Sequence, residues 1–313
     1  MLLGRSANGL YWMARYIERA ENMARLVDTG LRLALTQTSA SSDEWASVLT
    51  SAGVRDLFEQ GNDAFDTATV TNFLLRDTAN PSSVLSSIDT ARMNARMVRT
   101  ALTRETWESV NEAWMAMHRM LKRRVDEQDL PAVLDAVKRE TALIRGAFQG
   151  TMLRNEIFDF AQMGTMIERA DNTSRILDVK YYVLLPSAAW VGSPLDNIQW
   201  QTILRSVSAL RSYRWTHEGD FNPANIADYL ILNRRMPRSL AFCYRHICDS
   251  LDYLADEYGV RQRCNEMADA KFEKLKTAAV SDIFDEGLHE FLSDFIRDNA
   301  ALGNQIATDF RFY

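Results

Sequence analysis

Apolar residues recur every three or four positions along most of this chain, the spacing of helices with one buried face. Met13, Ile17, Ala20, Ala24, Val27 and Leu31 form one such stripe, and Met163, Ile167, Ala170, Ser174, Leu177 and Tyr181 form another. They predict two long helices, over residues 6–38 and 154–185, the second stopped by Pro186. Shorter helices follow from the punctuation between them. Ser41 or Ser42 caps a helix carrying Trp45, a polar stretch at 61–66 leads into a helix through Phe73, and Asn80-Pro81-Ser82 breaks the chain again. Thr103–Glu105 caps the helix of Trp107, Asn111 and Trp114, and Asp129 with Pro131 opens one that ends near Gly146 or Gly150. Ser193-Pro194 and Asn222-Pro223 read as caps followed by a first turn. Pro237 starts a helix ended by Gly259, and two more helices reach the terminal Phe310, Phe312 and Tyr313. No alternating strand pattern interrupts this layout, so the expected fold is all-α.

The polar positions carry a second pattern. Residues 17–28, IERAENMARLVD, return as residues 167–178, IERADNTSRILD, and seven of the twelve positions are identical. Trp45–Ser51 matches Trp200–Ser206 at an offset of 155 residues, and Pro81-Ser82-Ser83-Val84 matches Pro237-Arg238-Ser239-Leu240 at 156. Colinear blocks at nearly constant offset indicate an internal duplication, with halves at about 1–128 and 150–313 of a single domain spanning 1–313. The helix over 130–149 shows no copy in the other half. The architecture expected is a bundle of two duplicated sub-bundles packed around two pseudo-symmetric Glu-Arg helices.

On a helical wheel Glu18, Asn22 and Arg25 share a face about 100° from the apolar stripe, as do Glu168, Asn172 and Arg175. Asp28 and Asp178 border that face, and Arg19 and Arg169 point further round. Three readings remain open. The face is solvated, or it forms a buried network in which the Glu of one helix meets an Arg of the other, or it lines a ligand cleft. Arg92, Arg96 and Arg99 either bind an anionic substrate or supply counter-charges to the repeated Glu residues, the second being preferred. Trp12, Trp107 and Trp114 are read as core.

The composition narrows the function classes. A formal charge of −6 lacks the basic excess of a general nucleic-acid binder. No apolar run approaches the ~20 residues that span a bilayer, and Arg15 interrupts the N-terminal apolar stretch where a signal peptide would need continuity. These features point to the cytoplasm. Cys243, Cys248 and Cys264, odd in number, read as free thiols. The repeated helices lack His and pair each acid with arginines, so no metal is expected, and nothing indicates a cofactor. His217 and Glu218 lie in a polar loop and His118, His246 and His289 in helical stretches, none with metal-ligand spacing.

At its repeated segments the chain resembles the alpha-E family, bacterial all-helical proteins named for a Glu-Arg motif. The resemblance is carried by Tyr11-Trp12-Met13-Ala14-Arg15-Tyr16-Ile17-Glu18-Arg19, by residues 164–182, by Arg92-Met93-Asn94-Ala95-Arg96, and by Pro237-Arg238-Ser239. Two positions depart from it: Ala14, more often Gly, which loosens a close helix contact, and Thr165, more often Arg, which makes the halves unequal. Genes of this family typically lie beside circularly permuted ATP-grasp proteins and transglutaminase-like proteins. The resemblance therefore implies a non-catalytic or substrate-positioning component of an ATP-grasp-linked amide-ligation or peptide-modification system. The alternatives are an enzyme using Glu18 or Glu168 as general base in an arginine-rich cleft, and a plain helical scaffold.

Overall fold

The computed structural model describes residues 2–34, 42–182, 194–218 and 221–312. Every regular element among them is helical. The expected end of the first helix at Thr38, the cap at Ser41, the stop at Pro186, Ser193 and Tyr313 lie outside the described residues, as do the side chains of 180–182.

Two long helices, α1 (Gly4–Ala34) and α8 (Glu156–Tyr182), pack along each other at the centre. Both repeated segments lie on this pair. The remaining helices surround it. α2 (Ser42–Ala52), α3 (Arg55–Glu59), α4 (Thr67–Leu75), α5 (Val84–Met97), α6 (Arg104–Met120) and α7 (Leu130–Thr151) follow α1. α9 (Pro194–Ser206), α10 (Leu210–His217), α11 (Pro223–Ile231), α12 (Leu240–Tyr258), α13 (Arg263–Thr277), α14 (Val280–Glu286) and α15 (Leu288–Asp309) follow α8.

The packing repeats in the same order around each central helix. α5 and α7 lie on α1 with α6 joining them, and α12 and α15 lie on α8 with α13 joining them. α2 and α9 each touch both central helices. α7 and α15 are both 22 residues long. Leu134, Val137, Ile144 and Phe148 of α7 are buried, as are Leu292, Phe295, Leu302 and Ile306 of α15, 158 residues on. The stretch that shows no copy in the sequence thus has a counterpart in position. The two helices share apolar character at the buried stripe, which many apolar residues satisfy and which leaves little sequence identity to detect.

Local chemistry sets the helix ends. Ser83 and Ser239 cap α5 and α12 by accepting from the N–H groups of Ser86 and Phe242. Pro237 and Arg238 therefore precede the helix that the sequence started at Pro237. Gly259 ends α12 in the left-handed conformation, φ +69°. Gly146 and Gly150, read as stops, lie inside α7, which runs on to Thr151. Three helices, one more than expected, follow α12.

α1 and α8 approach closely at one point. A Cβ built on Gly164 would sit 2.2 Å from the backbone oxygen of Tyr11. The position 150 residues earlier is Ala14, which is buried and lines a cavity. Gly164→Ala is expected to lower stability by ~1–3 kcal/mol, because the obstacle is backbone and cannot rotate away. Gly146→Ala, where a Cβ meets nothing within 4 Å, is expected to raise stability by ~0.5–1 kcal/mol. Thermal unfolding of the two variants checks the pair, and equal melting points would refute the close approach.

Candidate functional site

The Glu, Arg and Asn residues of the repeat gather at the α1–α8 contact, with the carboxylates buried. Glu18, Glu21 and Glu168 are 1%, 0% and 5% exposed. Isolated carboxylates at that depth would be costly, so their partners decide the arrangement. Arg19 donates through Nε and Nη2 to Glu168 Oε1 and Oε2, at 2.5 and 3.0 Å. Arg169 donates in the same fashion to Glu18 Oε1 and Oε2, at 2.9 and 3.1 Å. The two bidentate pairs are reciprocal: each Glu-Arg dipeptide gives its acid to the other helix's arginine and its arginine to the other's acid. The wheel placed Arg19 and Arg169 away from the acids of their own helix; the partner helix stands on that side.

Further arginines complete the cluster. Arg238 bridges Glu18 Oε1 and Glu21 Oε1, at 3.0 and 2.5 Å. Arg145 from α7 reaches Glu21 and, at 3.4 Å, Glu18, while Thr141 Oγ1 donates to Glu21 at 2.9 Å. Arg15 donates to Glu168 Oε2 at 2.9 Å. Arg25 pairs with Glu21 and donates to the carbonyl of Ser206 (2.6 Å) at the end of α9. Arg175 pairs with Asp171 and donates to the carbonyl of Ser51 (3.1 Å) at the end of α2. Both arginines thus satisfy helix C-terminal carbonyls, where positive charge is favoured.

The repeated Asp residues stand apart from this cluster. Asp28 accepts from Arg32 and from Lys138 of α7, and Asp178 pairs with His289 of α15 at 2.7 Å. Asn22 donates to the backbone oxygen of Glu168. Asn22 Oδ1 and Asn172 Nδ2 are buried without a hydrogen-bond partner.

Arg92 and Arg96 are not counter-charges to the repeated acids. α5 buries Ile88, Ala91 and Ala95, which turns Arg92 towards α6, where it donates to Asn111 (2.8 Å) and covers the ring of Trp114 at 4.3 Å. Arg96 is exposed, and Arg99 lies over Trp107. The counter-charges that the sequence reading missed are Arg15, Arg145 and Arg238. Arg238 stood within a segment already matched between the halves; Arg145 carried no local signal at all.

Electrostatics fixes the protonation states. Burial alone pushes the Glu168 carboxyl up, but Arg19 and Arg15 outweigh it and hold it down at about 2. Glu21 is likewise raised by burial and brought to about 2 by Arg238, Arg25 and Arg145, against the neighbouring charge of Glu18. Glu18 lies well below the carboxylate range because Arg169, Arg238 and Arg145 together exceed its burial cost. Burial pushes the Cys243 thiol up to about 12, so it is a buried neutral group and not a thiolate. His217 stacks on Tyr213 with ring centroids 4.3 Å apart. Glu218 ends α10 at φ +48°. Gly219 and Asp220 lie outside the described residues. Among the described residues no three His, Cys, Asp or Glu side chains gather as metal ligands do.

Two cavities flank the cluster. The larger, about 320 Å³, opens between α1, α7 and α8 beside Glu18, Arg145 and Arg169, with Ala14 and Thr165 in its wall. The second, about 230 Å³, is polar and holds Arg19, Glu168, Asp171, Arg175, Asn22 and Asn172, with Ser82 at its edge. Among the described residues no helix is long and apolar enough to cross a membrane.

The chain belongs to the Alpha-E family, described as a predicted alpha-helical domain with a conserved ER motif, which matches residues 2–310. It is similar to an uncharacterised protein of Mycobacterium bovis, 23% identical over 315 aligned residues that cover 95% of this chain and 34% of the relative. Uncharacterised proteins from two Mycobacterium tuberculosis strains match over the same extent at 23% and 22% identity. The chain spans about a third of the length of these relatives. No solved structure matches it.

The depressed carboxyls predict an acid limit. A group ionised more readily in the folded than in the unfolded chain contributes stability above its unfolded value and loses it as pH falls through the folded one. For Glu21 and Glu168 that window runs from the ordinary 4.5 down to about 2. Helical circular dichroism is expected to hold above the window and collapse within it; a signal unchanged at its lower edge would show that the network is not stabilising. Glu168→Gln, which leaves Arg15 and Arg19 buried against a neutral amide, is expected to cost ~3–5 kcal/mol in denaturant unfolding.

Proposed function

We propose that this chain is a duplicated helical bundle, one domain with halves at 1–128 and 150–313, that positions a substrate or partner without itself catalysing a reaction. It would serve an ATP-grasp-linked amide-ligation or peptide-modification system in the bacterial cytoplasm, beside a circularly permuted ATP-grasp protein and a transglutaminase-like protein. The duplication is supported by the reciprocal Glu-Arg pairs and by the matching order in which helices pack on α1 and α8.

One observation carries the non-catalytic reading: each buried carboxylate of the cluster is ion-paired with at least two arginines. A general base works best with a pKa near the operating pH, and Glu168 is held at about 2. The proton affinity that the general-base alternative requires is absent at both Glu18 and Glu168. What the cluster does offer is a rigid charged wall with two cavities beside it, the arrangement of a binding site built on fixed elements. The relatives' greater length also suits this reading, since a domain that occupies a third of a longer chain has other segments to work with.

Association is the direct test. Co-expressed with a circularly permuted ATP-grasp protein from the same genome, this chain is expected to co-elute with it at low salt in the presence of ATP. Alone it is expected to show no ATP hydrolysis and no amide formation. Persistent separation of the two proteins would overturn the proposed partnership. Turnover by the isolated chain that disappears in a folded Glu18→Gln variant would favour the enzyme alternative.

A further inference from the structure

The two Glu-Arg pairs are equivalent except in how many cations they hold. Glu18 Oε1 accepts from Arg169 Nε and from Arg238 Nη1. Its counterpart Glu168 Oε1 accepts from Arg19 Nε alone. On the other oxygen the two sides agree: Glu18 Oε2 takes Arg169 and Arg145, and Glu168 Oε2 takes Arg19 and Arg15. One acceptor site on Glu168 is therefore open where Arg238 fills the equivalent site on Glu18.

The sequence explains the difference. Arg238 stands immediately before Ser239, the cap of α12; 156 residues earlier, Ser82 stands immediately before Ser83, the cap of α5. Where Arg238 is buried and bridges Glu18 to Glu21, Ser82 borders the cavity of about 230 Å³ that Glu168 and Asp171 line. Asp171, one methylene shorter than its counterpart Glu21, widens the same space. Asn22, 5% exposed, also lines it, and its Oδ1 is an acceptor without a donor.

We propose that this cavity binds the guanidinium group of a ligand, seated against Glu168 and Asp171 as Arg238 is seated against Glu18 and Glu21. The charge count agrees. Glu18 and Glu21 are ringed by Arg25, Arg145, Arg169 and Arg238, while Glu168 and Asp171 have Arg15, Arg19 and Arg175. A ligand guanidinium brings the second set level with the first. Arg15 and Arg19 already pair with Glu168, and Arg175 with Asp171. A planar fork of donors suits two carboxylates side by side, and a point-charge ammonium suits them less well. The guanidinium comes either from a free arginine-like molecule or from an arginine side chain in a peptide.

The inference rests on the duplication proposed above but not on any partner enzyme, so it is tested on this chain alone. The measurement is calorimetric titration with L-arginine, agmatine and N-acetyl-L-arginine amide, against L-citrulline and N-acetyl-L-citrulline amide, whose ureido group keeps the shape without the charge. The guanidinium compounds are expected to bind roughly tenfold or more tightly than their ureido counterparts. Tighter binding of the blocked arginine assigns the site to a peptide, and tighter binding of L-arginine assigns it to the free amino acid. Ser82→Arg is expected to abolish binding and raise the melting temperature by supplying the missing group internally. Ser82→Met fills the same space without charge; it should also abolish binding, and it serves should Ser82→Arg fail to fold. Equal affinity for arginine and citrulline, binding that survives a folded Ser82 variant, or no binding of any guanidinium compound at millimolar concentration would overturn the proposal.

Discussion

The α1–α8 contact depends on two buried carboxylates, Glu18 and Glu168, that find their cations across the helix interface. Each takes a bidentate arginine from the opposite helix, the geometry that best repays the cost of burying both charges. The consequence reaches the whole bundle. Arg145 ties α7 to the pair, Arg238 ties the entry to α12, and Arg25 and Arg175 tie the ends of α9 and α2. A one-residue slide of α1 against α8 would break both bidentate pairs at once, whereas an apolar interface of Leu and Ala would tolerate it. Such a network adds less to stability than hydrophobic residues of similar volume, but it fixes register.

Periodicity and capping chemistry made the helices legible, because both are local. The repeated polar motif pointed to the right pair of helices for a different reason: apolar positions vary between the two segments, whereas the Glu and Arg of the two bidentate pairs are identical in both. What the sequence hid was long-range. Arg238 lies 220 residues from Glu18, and Arg145 lies 127 from it. Nothing at either position announces where the side chain will go. The cluster at Arg92 and Arg96 misled because three cations on one helix look like a counter-charge array. The buried Ala91 and Ala95 settle which face α5 turns inward, and it is the other one.

The C-terminal turns of α2 and α9 show how a shared geometry can be met by different residues. Gly53 and Ser208, 155 residues apart, both adopt positive φ, +70° and +57°. Glycine takes that conformation freely and serine does so at a cost. Ser208 recovers something for it, since its hydroxyl accepts from Arg25 Nη1 at 3.0 Å. At Gly53 the Arg175 guanidinium instead packs where a side chain would begin, 3.0 Å from a built Cβ. The helix end and its arginine are kept on both sides, while the residue in the turn is free to differ.

The same distinction separates the two cavities. At the larger one Thr165 stands 150 residues after Arg15, yet Glu18 loses nothing, because Arg145 reaches it from α7. On the opposite side the position matching Arg145 is Gly303, and Arg15 lies 3.5 Å from a Cβ built there. The second cation on the Oε2 oxygen is delivered by a neighbouring helix at Glu18 and by the central helix at Glu168, so the charge at that oxygen is matched and only the shape changes. Ser82 against Arg238 has no such exchange: no other basic side chain moves in to the open Glu168 oxygen among the described residues. A shape difference leaves space, whereas an uncompensated charge difference leaves a site with a stated preference for what enters it. That is the physical reason to treat the smaller, more polar cavity as the one with chemistry still to supply.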